Sequence, residues 1–172
     1  MNIMARPPKP EPIGTPATMA HRSSSYGRAT PIPGLPTVLL VDDDEIDVMA
    51  VTRAFKTLRI PNPVVVARDG MEALDILRGT NGRDRLPPPY LVLLDLNMPR
   101  MGGVEFLTEL RDDSELCQTI VFVMTMSVAH GDRVRAYHKN VAGYVLKQGG
   151  ERSFVDSIAM LHHYWSMVQF PT

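Results

Sequence analysis

The strongest constraint on this chain is a strict alternation of two kinds of segment. Five short, continuously apolar runs are separated by stretches of helical period. The runs are Val38–Val41, Val64–Ala67, Tyr90–Leu94, Ile120–Met124 and Gly143–Leu146. They are rich in β-branched residues and apolar on both parities, as strands of a parallel sheet covered on both faces must be. Between them, Val48, Val51, Phe55 and Leu58 share one helix face, as do Met71, Leu74 and Leu77, and then Val104, Leu107 and Leu110. A weaker helix is expected over 130–139, and a last one over about 151–168, with Phe154, Ile158, Leu161, Trp165 and Val168 as its stripe. Five strands alternating with five helices predict an α/β, doubly wound, five-stranded parallel sheet. The usual strand order for such a sheet is 2-1-3-4-5, with ligands outside the carboxyl ends of the strands.

Composition narrows the function. The chain has 172 residues and a formal net charge of −1, and near-neutrality argues against nucleic acid or an anionic membrane as the main partner. Cys117 is the sole cysteine, so neither a disulfide framework nor a Cys-rich zinc site is available. No apolar run approaches the ~20 residues of a membrane span, and no secretory signal stands at the start, so a cytoplasmic protein is expected. Residues 1–36 hold eight of the fifteen prolines and a charge of +3 (Arg6, Lys9, Arg22 and Arg28 against Glu11). Such a stretch buries too little apolar surface to offset its ordering entropy and reads as a disordered extension, leaving 37–172 as the domain.

The strand ends carry the chemistry. The first strand runs into Asp42-Asp43-Asp44-Glu45, the third into Asp95, the fourth into Thr125 and the fifth into Lys147. In the expected order, strands 1 and 3 are neighbours, so Asp42, Asp43 and Asp95 converge. Two like charges about 4 Å apart repel by roughly 4 kcal/mol at an effective dielectric of 20. A hard cation relieves that, and few carboxylates with room for water and phosphate oxygens suit Mg²⁺ better than Ca²⁺. An Asp beside a cation, a Lys and a hydroxyl is placed to attack phosphorus and carry an acyl phosphate. Each residue has a plainer use: Asp44 as a helix cap, Asp95 to Pro99 as a turn, Lys147 as a solvated charge. Their conjunction at four strand ends favours the shared site.

These motifs together (Val38 to Asp43, Leu93 to Pro99 with Gly102-Gly103, Met124-Thr125, and Gly143 to Lys147) resemble the response-regulator receiver domains of the chemotaxis-regulator (CheY-like) type. The resemblance covers about residues 37–170 and implies a flavodoxin-like (βα)5 fold. It implies Asp95 as phosphoacceptor from a histidine kinase. It implies Asp42, Asp43, Asp95 and the main-chain carbonyl of Asn97 as Mg²⁺ ligands. Thr125 and Tyr144 would form the switch, Lys147 would pair with the phosphoryl group, and Asn97 and Ser127 would tune dephosphorylation. One departure stands out. Gln148 follows Lys147 where the family usually has Pro, often in a cis bond; without proline such a bond costs ~2.5–4 kcal/mol. The loop is therefore expected to be trans, with Lys147 still reaching the site.

A single-domain regulator without an output module is expected, its output being a change in binding. Met160, Tyr164 and Met167 make a second stripe on that helix, which ends in Trp165 and then Phe170. Met160, Tyr164, Trp165, Met167 and Phe170 are therefore expected at a homodimer interface. The segments 55–63 and 67–74, the long insertion 78–89 and the terminal Tyr164-Trp165 are similar to single-domain regulators partnered with bacterial phytochrome histidine kinases. Two other functions compete with the switch. An Asp-nucleophile phosphatase would call for a second Asp two residues after the first, where Asn97 stands. A phosphorylation-independent adaptor would not need the acid pair, Asp95 and Thr125.

Overall fold

The computed structural model describes residues 32–125, 139–147, 150–168 and 170. Five strands form one parallel sheet in the order β2-β1-β3-β4-β5. They are β1 (Thr37–Val41), β2 (Val64–Ala67), β3 (Tyr90–Asp95), β4 (Val121–Thr125) and β5 (Gly143–Leu146). Among the described residues are helices α1 (Glu45–Thr57), α2 (Gly70–Arg78) and α3 (Gly103–Asp112), and a C-terminal helix, Gly150–Met167. The helix expected over 130–139 lies almost wholly outside the described residues, as do Ser127 and Gln148.

The continuous apolar runs are explained by two cores. On one face, Leu39, Val41, Val92, Leu94, Val121 and Val123 meet α2 and α3. On the other, Val38, Leu40, Leu91, Leu93, Phe122 and Met124 meet α1 and the C-terminal helix. Successive residues of each strand thus go to opposite cores, and no polar face remains.

The helix starts are set locally. The Asp44 carboxylate accepts from Ile46 N at 2.8 Å and caps α1, as its position suggested. Asp69 caps α2 through Glu72 N at 2.9 Å, while the Glu72 carboxylate accepts from Arg68 N at 2.8 Å. Gly79 closes α2 at φ 71°, a left-handed conformation that glycine adopts without a Cβ penalty. Ahead of β1, Leu35 N bonds Ile32 O at 3.0 Å, and Pro36 O accepts from buried Asn62 at 2.8 Å.

Arg111 of α3 fastens the far end of β4 and the approach to β5. Its guanidinium donates to the carbonyls of Cys117 (2.7 Å), Lys139 (2.8 Å), Thr119 (2.9 Å) and Asn140 (3.0 Å). Arg111→Ala leaves those acceptors without a donor and is expected to cost about 2 kcal/mol. Urea unfolding measures this; Arg111→Lys, with a single ammonium in place of the planar fork, should recover only part of the loss.

Candidate functional site

The parallel order brings the carboxyl ends of β1 and β3 side by side, with Val41 opposite Leu94. Asp42 follows β1 and Asp95 ends β3, so both carboxylates stand at one rim. Each is buried, at 1% and 7% exposed. Asp43 is exposed and borders a shallow cleft with Asp42, Glu45 and Arg68. Thr125, at the end of β4, is buried, and its carbonyl accepts from Lys147 N at 3.0 Å. That backbone bond sets Lys147 at the rim just beyond β5.

From there the Lys147 side chain reaches back under the site. Its Nζ donates to Asp42 Oδ2 at 2.8 Å, Asp95 Oδ1 at 2.9 Å and Asp47 Oδ2 at 2.6 Å. The absence of proline at 148 therefore does not keep Lys147 from the acids. The second carboxylate oxygens of Asp42 and Asp95 are bonded to backbone: Asp44 N donates to Asp42 Oδ1 at 3.0 Å, and Asn97 N to Asp95 Oδ2 at 2.7 Å. The second bond folds the turn after β3 back on Asp95. Gly103 keeps that turn close, because a Cβ there would meet the Asp95 carbonyl oxygen at 2.5 Å and Leu96 Cα at 2.8 Å.

Three carboxylates share one ammonium, so the cluster carries a formal charge of −2. Its titration follows. Burial, the largest influence, pushes the Asp42 pKa above the usual carboxylate value; Lys147 and Asp44 N offset this only in part, and Asp95 adds to it. For Lys147, burial acts to lower the pKa, but the hydrogen bonds to Asp42 and Asp47 and the surrounding negative charge outweigh it and raise it. The ammonium is thus held charged in an environment that disfavours another anion.

A divalent cation fits this donor set. All side-chain donors are carboxylate oxygens, and two positive charges would balance the formal −2. Among the described residues no group of three or more His, Cys, Asp or Glu side chains is set to cage a metal unaided. Carbonyl, water and phosphate oxygens would complete the shell, the sparse protein ligation that Mg²⁺ accepts.

Tyr144 sits in β5 opposite Val123, half-buried against the core on the α2 and α3 side. The second stripe of the C-terminal helix divides. Met160, Tyr164 and Met167 are exposed, with Tyr164 edge-on to Phe122 at 5.3 Å between ring centres. Trp165 corrects the expectation: it is 3% exposed and packs on Phe55, ring centres 6.1 Å apart, so it belongs to the core. Helical geometry explains the split, since Trp165 continues the Phe154, Ile158 and Leu161 face. Phe170 is half-buried against the same core.

Asp47 was not anticipated. Its signal was its place on α1, one residue before Val48 and four before Val51, at the border of the buried stripe and five residues after Asp42.

Residues 38–159 match the family described as the response regulator receiver domain. The chain is 30% identical over 128 residues to the response regulator Rcp1 of Synechocystis, covering 74% of this chain and 87% of that protein. The Mn²⁺-bound form of Rcp1 superposes with a TM-score of 0.72 at 29% identity, over 80% of this chain and 99% of that one. The phosphorylated cyanobacterial phytochrome response regulator RcpA gives 0.74 at 29% identity with the same coverage. The response regulator RPA3017, in red light signaling of R. palustris, gives 0.73 at 32%, again over 80% and 99%.

Proposed function

We infer the function from one premise: this chain belongs to the response regulator receiver domain family. It is homologous to single-domain response regulators of two-component systems, signalling switches whose general mechanism is phosphorylation on aspartate. In this chain the phosphoacceptor is Asp95, and the donor is the phosphohistidine of a sensor kinase. The similarity to Rcp1, RcpA and RPA3017 supports a kinase of the phytochrome type, and membership of the receiver family is consistent with a cytoplasmic setting. The observation that carries the reading is the meeting of Asp42, Asp95 and Lys147 within 2.9 Å at adjoining strand ends, beside buried Thr125.

An Asp95 carboxylate oxygen attacks phosphorus, the P–N bond to the kinase histidine breaks, and the imidazole leaves with the bond's electron pair. Asp42, Asp43, Asp95 and the Asn97 carbonyl would hold Mg²⁺, which supplies neutralisation of charge on the phosphoryl oxygens. Lys147 pairs with a second phosphoryl oxygen, and the Thr125 hydroxyl donates to a third. Thr125 moving toward the phosphoryl group frees space into which Tyr144 turns, and this changes the surface beside β5. Asn97 and Ser127 would tune the attack of water on the acyl phosphate, as the family resemblance implies. Incubation of the whole chain with acetyl phosphate and Mg²⁺, followed by intact mass, tests the reading. One added phosphoryl group is expected, and none when the metal is chelated before acetyl phosphate is added; turnover of acetyl phosphate without a stable adduct would favour a phosphatase.

The homodimer is part of the same proposal. Met160 and Met167 are 63% and 70% exposed on one stripe with Tyr164, a patch that water disfavours. Met160→Glu is expected to weaken self-association about tenfold or more, read by sedimentation velocity across a concentration series. An unaltered sedimentation profile would remove this surface from the interface.

A further inference from the structure

We propose that Asp47 is a positioning residue for Lys147: it keeps the ammonium at the lip of the site so that Asp42 and Asp95 can exchange it for the divalent cation. The inference rests on the receiver reading and deepens it. In the structure Lys147 Nζ stands between Asp42 and Asp95, where a cation shared by those two acids would also be drawn. The ammonium and the metal therefore compete for the same oxygens. A Lys147 side chain that is 5% exposed cannot leave them for water without reorganising the rim. Asp47 gives it somewhere to stay.

Three observations single out Asp47 for that task. Its contact with Nζ, 2.6 Å, is the shortest of the three. Its side chain is 29% exposed, against 1% for Asp42 and 10% for Asp95, so it lies on the solvent side of the ammonium. It also comes from the first turn of α1, whereas Asp42 and Asp95 come from the ends of β1 and β3. An acid there is favoured by the helix N-terminus and holds its place whatever the strand-end acids bind. Lys147 is followed in sequence by Gln148, Gly149 and Gly150, with no proline to restrict the chain, so an anchor from a neighbouring helix has a constraint to supply.

The test is a double-mutant cycle read by calorimetric titration of the metal-free full chain with MgCl₂, alongside phosphoryl uptake from acetyl phosphate. Asp47→Asn leaves the ammonium committed to Asp42 and Asp95 and is expected to weaken Mg²⁺ binding about tenfold. Asp47→Glu, which keeps the carboxylate, should restore binding to within about twofold of wild type. In a Lys147→Ala background, where nothing competes with the metal, Asp47→Asn should change Mg²⁺ affinity by less than about twofold. Equal affinities for wild type and Asp47→Asn would overturn the inference. So would an undiminished effect in the Lys147→Ala background, which would mean that Asp47 acts on the metal by itself. A wild-type chain that binds Mg²⁺ and takes up phosphoryl groups keeps the receiver reading whatever Asp47 does; one that does neither brings down both.

Discussion

Asp95→Asn is expected to take up no phosphoryl group from acetyl phosphate or from a cognate kinase, while the wild-type chain gains one. The substitution is nearly isosteric. Asn has one amide oxygen, so it keeps one of the two contacts that Asp95 makes, from Asn97 N to Oδ2 at 2.7 Å or from Lys147 Nζ to Oδ1 at 2.9 Å, and turns its NH2 group toward the other donor. What it lacks is a nucleophile, since an amide oxygen carries no negative charge to share with phosphorus. Removing an attacking group commonly costs on the order of a thousandfold or more in rate, well beyond a positioning defect. The substitution also takes the cluster from a formal −2 to −1, which weakens its claim on a divalent cation. Calorimetry should therefore show weaker Mg²⁺ binding alongside the lost mass gain. A phosphoryl group still retained by Asp95→Asn would locate the acceptor elsewhere in the chain.

The sheet was legible because its runs are apolar on both parities, and only a strand between two helical layers needs that. The rim was legible because strand order converts distant sequence positions into neighbours: Asp42 and Asp95 lie 53 residues apart and share one ammonium. What escaped was whatever depends on a side chain's rotation about its helix. Trp165 was read both as part of the stripe with Phe154, Ile158 and Leu161 and as an interface residue beside Tyr164, and its burial follows the stripe. Asp47 looked like an ordinary acid in a first helical turn, where the dipole alone justifies one. Only the length of Lys147, reaching from β5 across to α1, gives it a second partner. Arg111 was equally silent, since its acceptors are four backbone carbonyls and carbonyls leave no mark in a sequence.

Lys147→Met is expected to be the most destabilising single change at this rim when no metal is present. The ammonium is the sole cation that the described contacts place among Asp42, Asp47 and Asp95. Methionine fills similar volume but leaves three carboxylates facing one another, two of them nearly excluded from water. Removing one member of a buried ion pair typically costs about 3–5 kcal/mol, and the 29% exposure of Asp47 puts this case at the lower end, about 3 kcal/mol. For a domain of this size that is a fall of roughly 10 °C in Tm. The pH dependence has a definite sign. The folded pKa of Lys147 lies above its ordinary 10.5, so its contribution is fully present below pH 10.5 and fades only as pH rises beyond. Asp42 is the reverse of a usual salt-bridged acid: its folded pKa is raised above 3.8, so folding is penalised as pH climbs through that raised value. Losing the ammonium deepens the penalty. Wild type and Lys147→Met should therefore unfold at similar urea concentrations in acid, where the carboxylates are protonated, and separate toward neutral pH. Mg²⁺ at pH 7.5 should narrow that gap, because a ligand bound only by the folded chain stabilises it by mass action, and here it supplies the missing positive charge. Equal stability of the two proteins at neutral pH without metal would mean that the ammonium does not carry the electrostatic load of the site, and the competition between Lys147 and the cation would then have no basis.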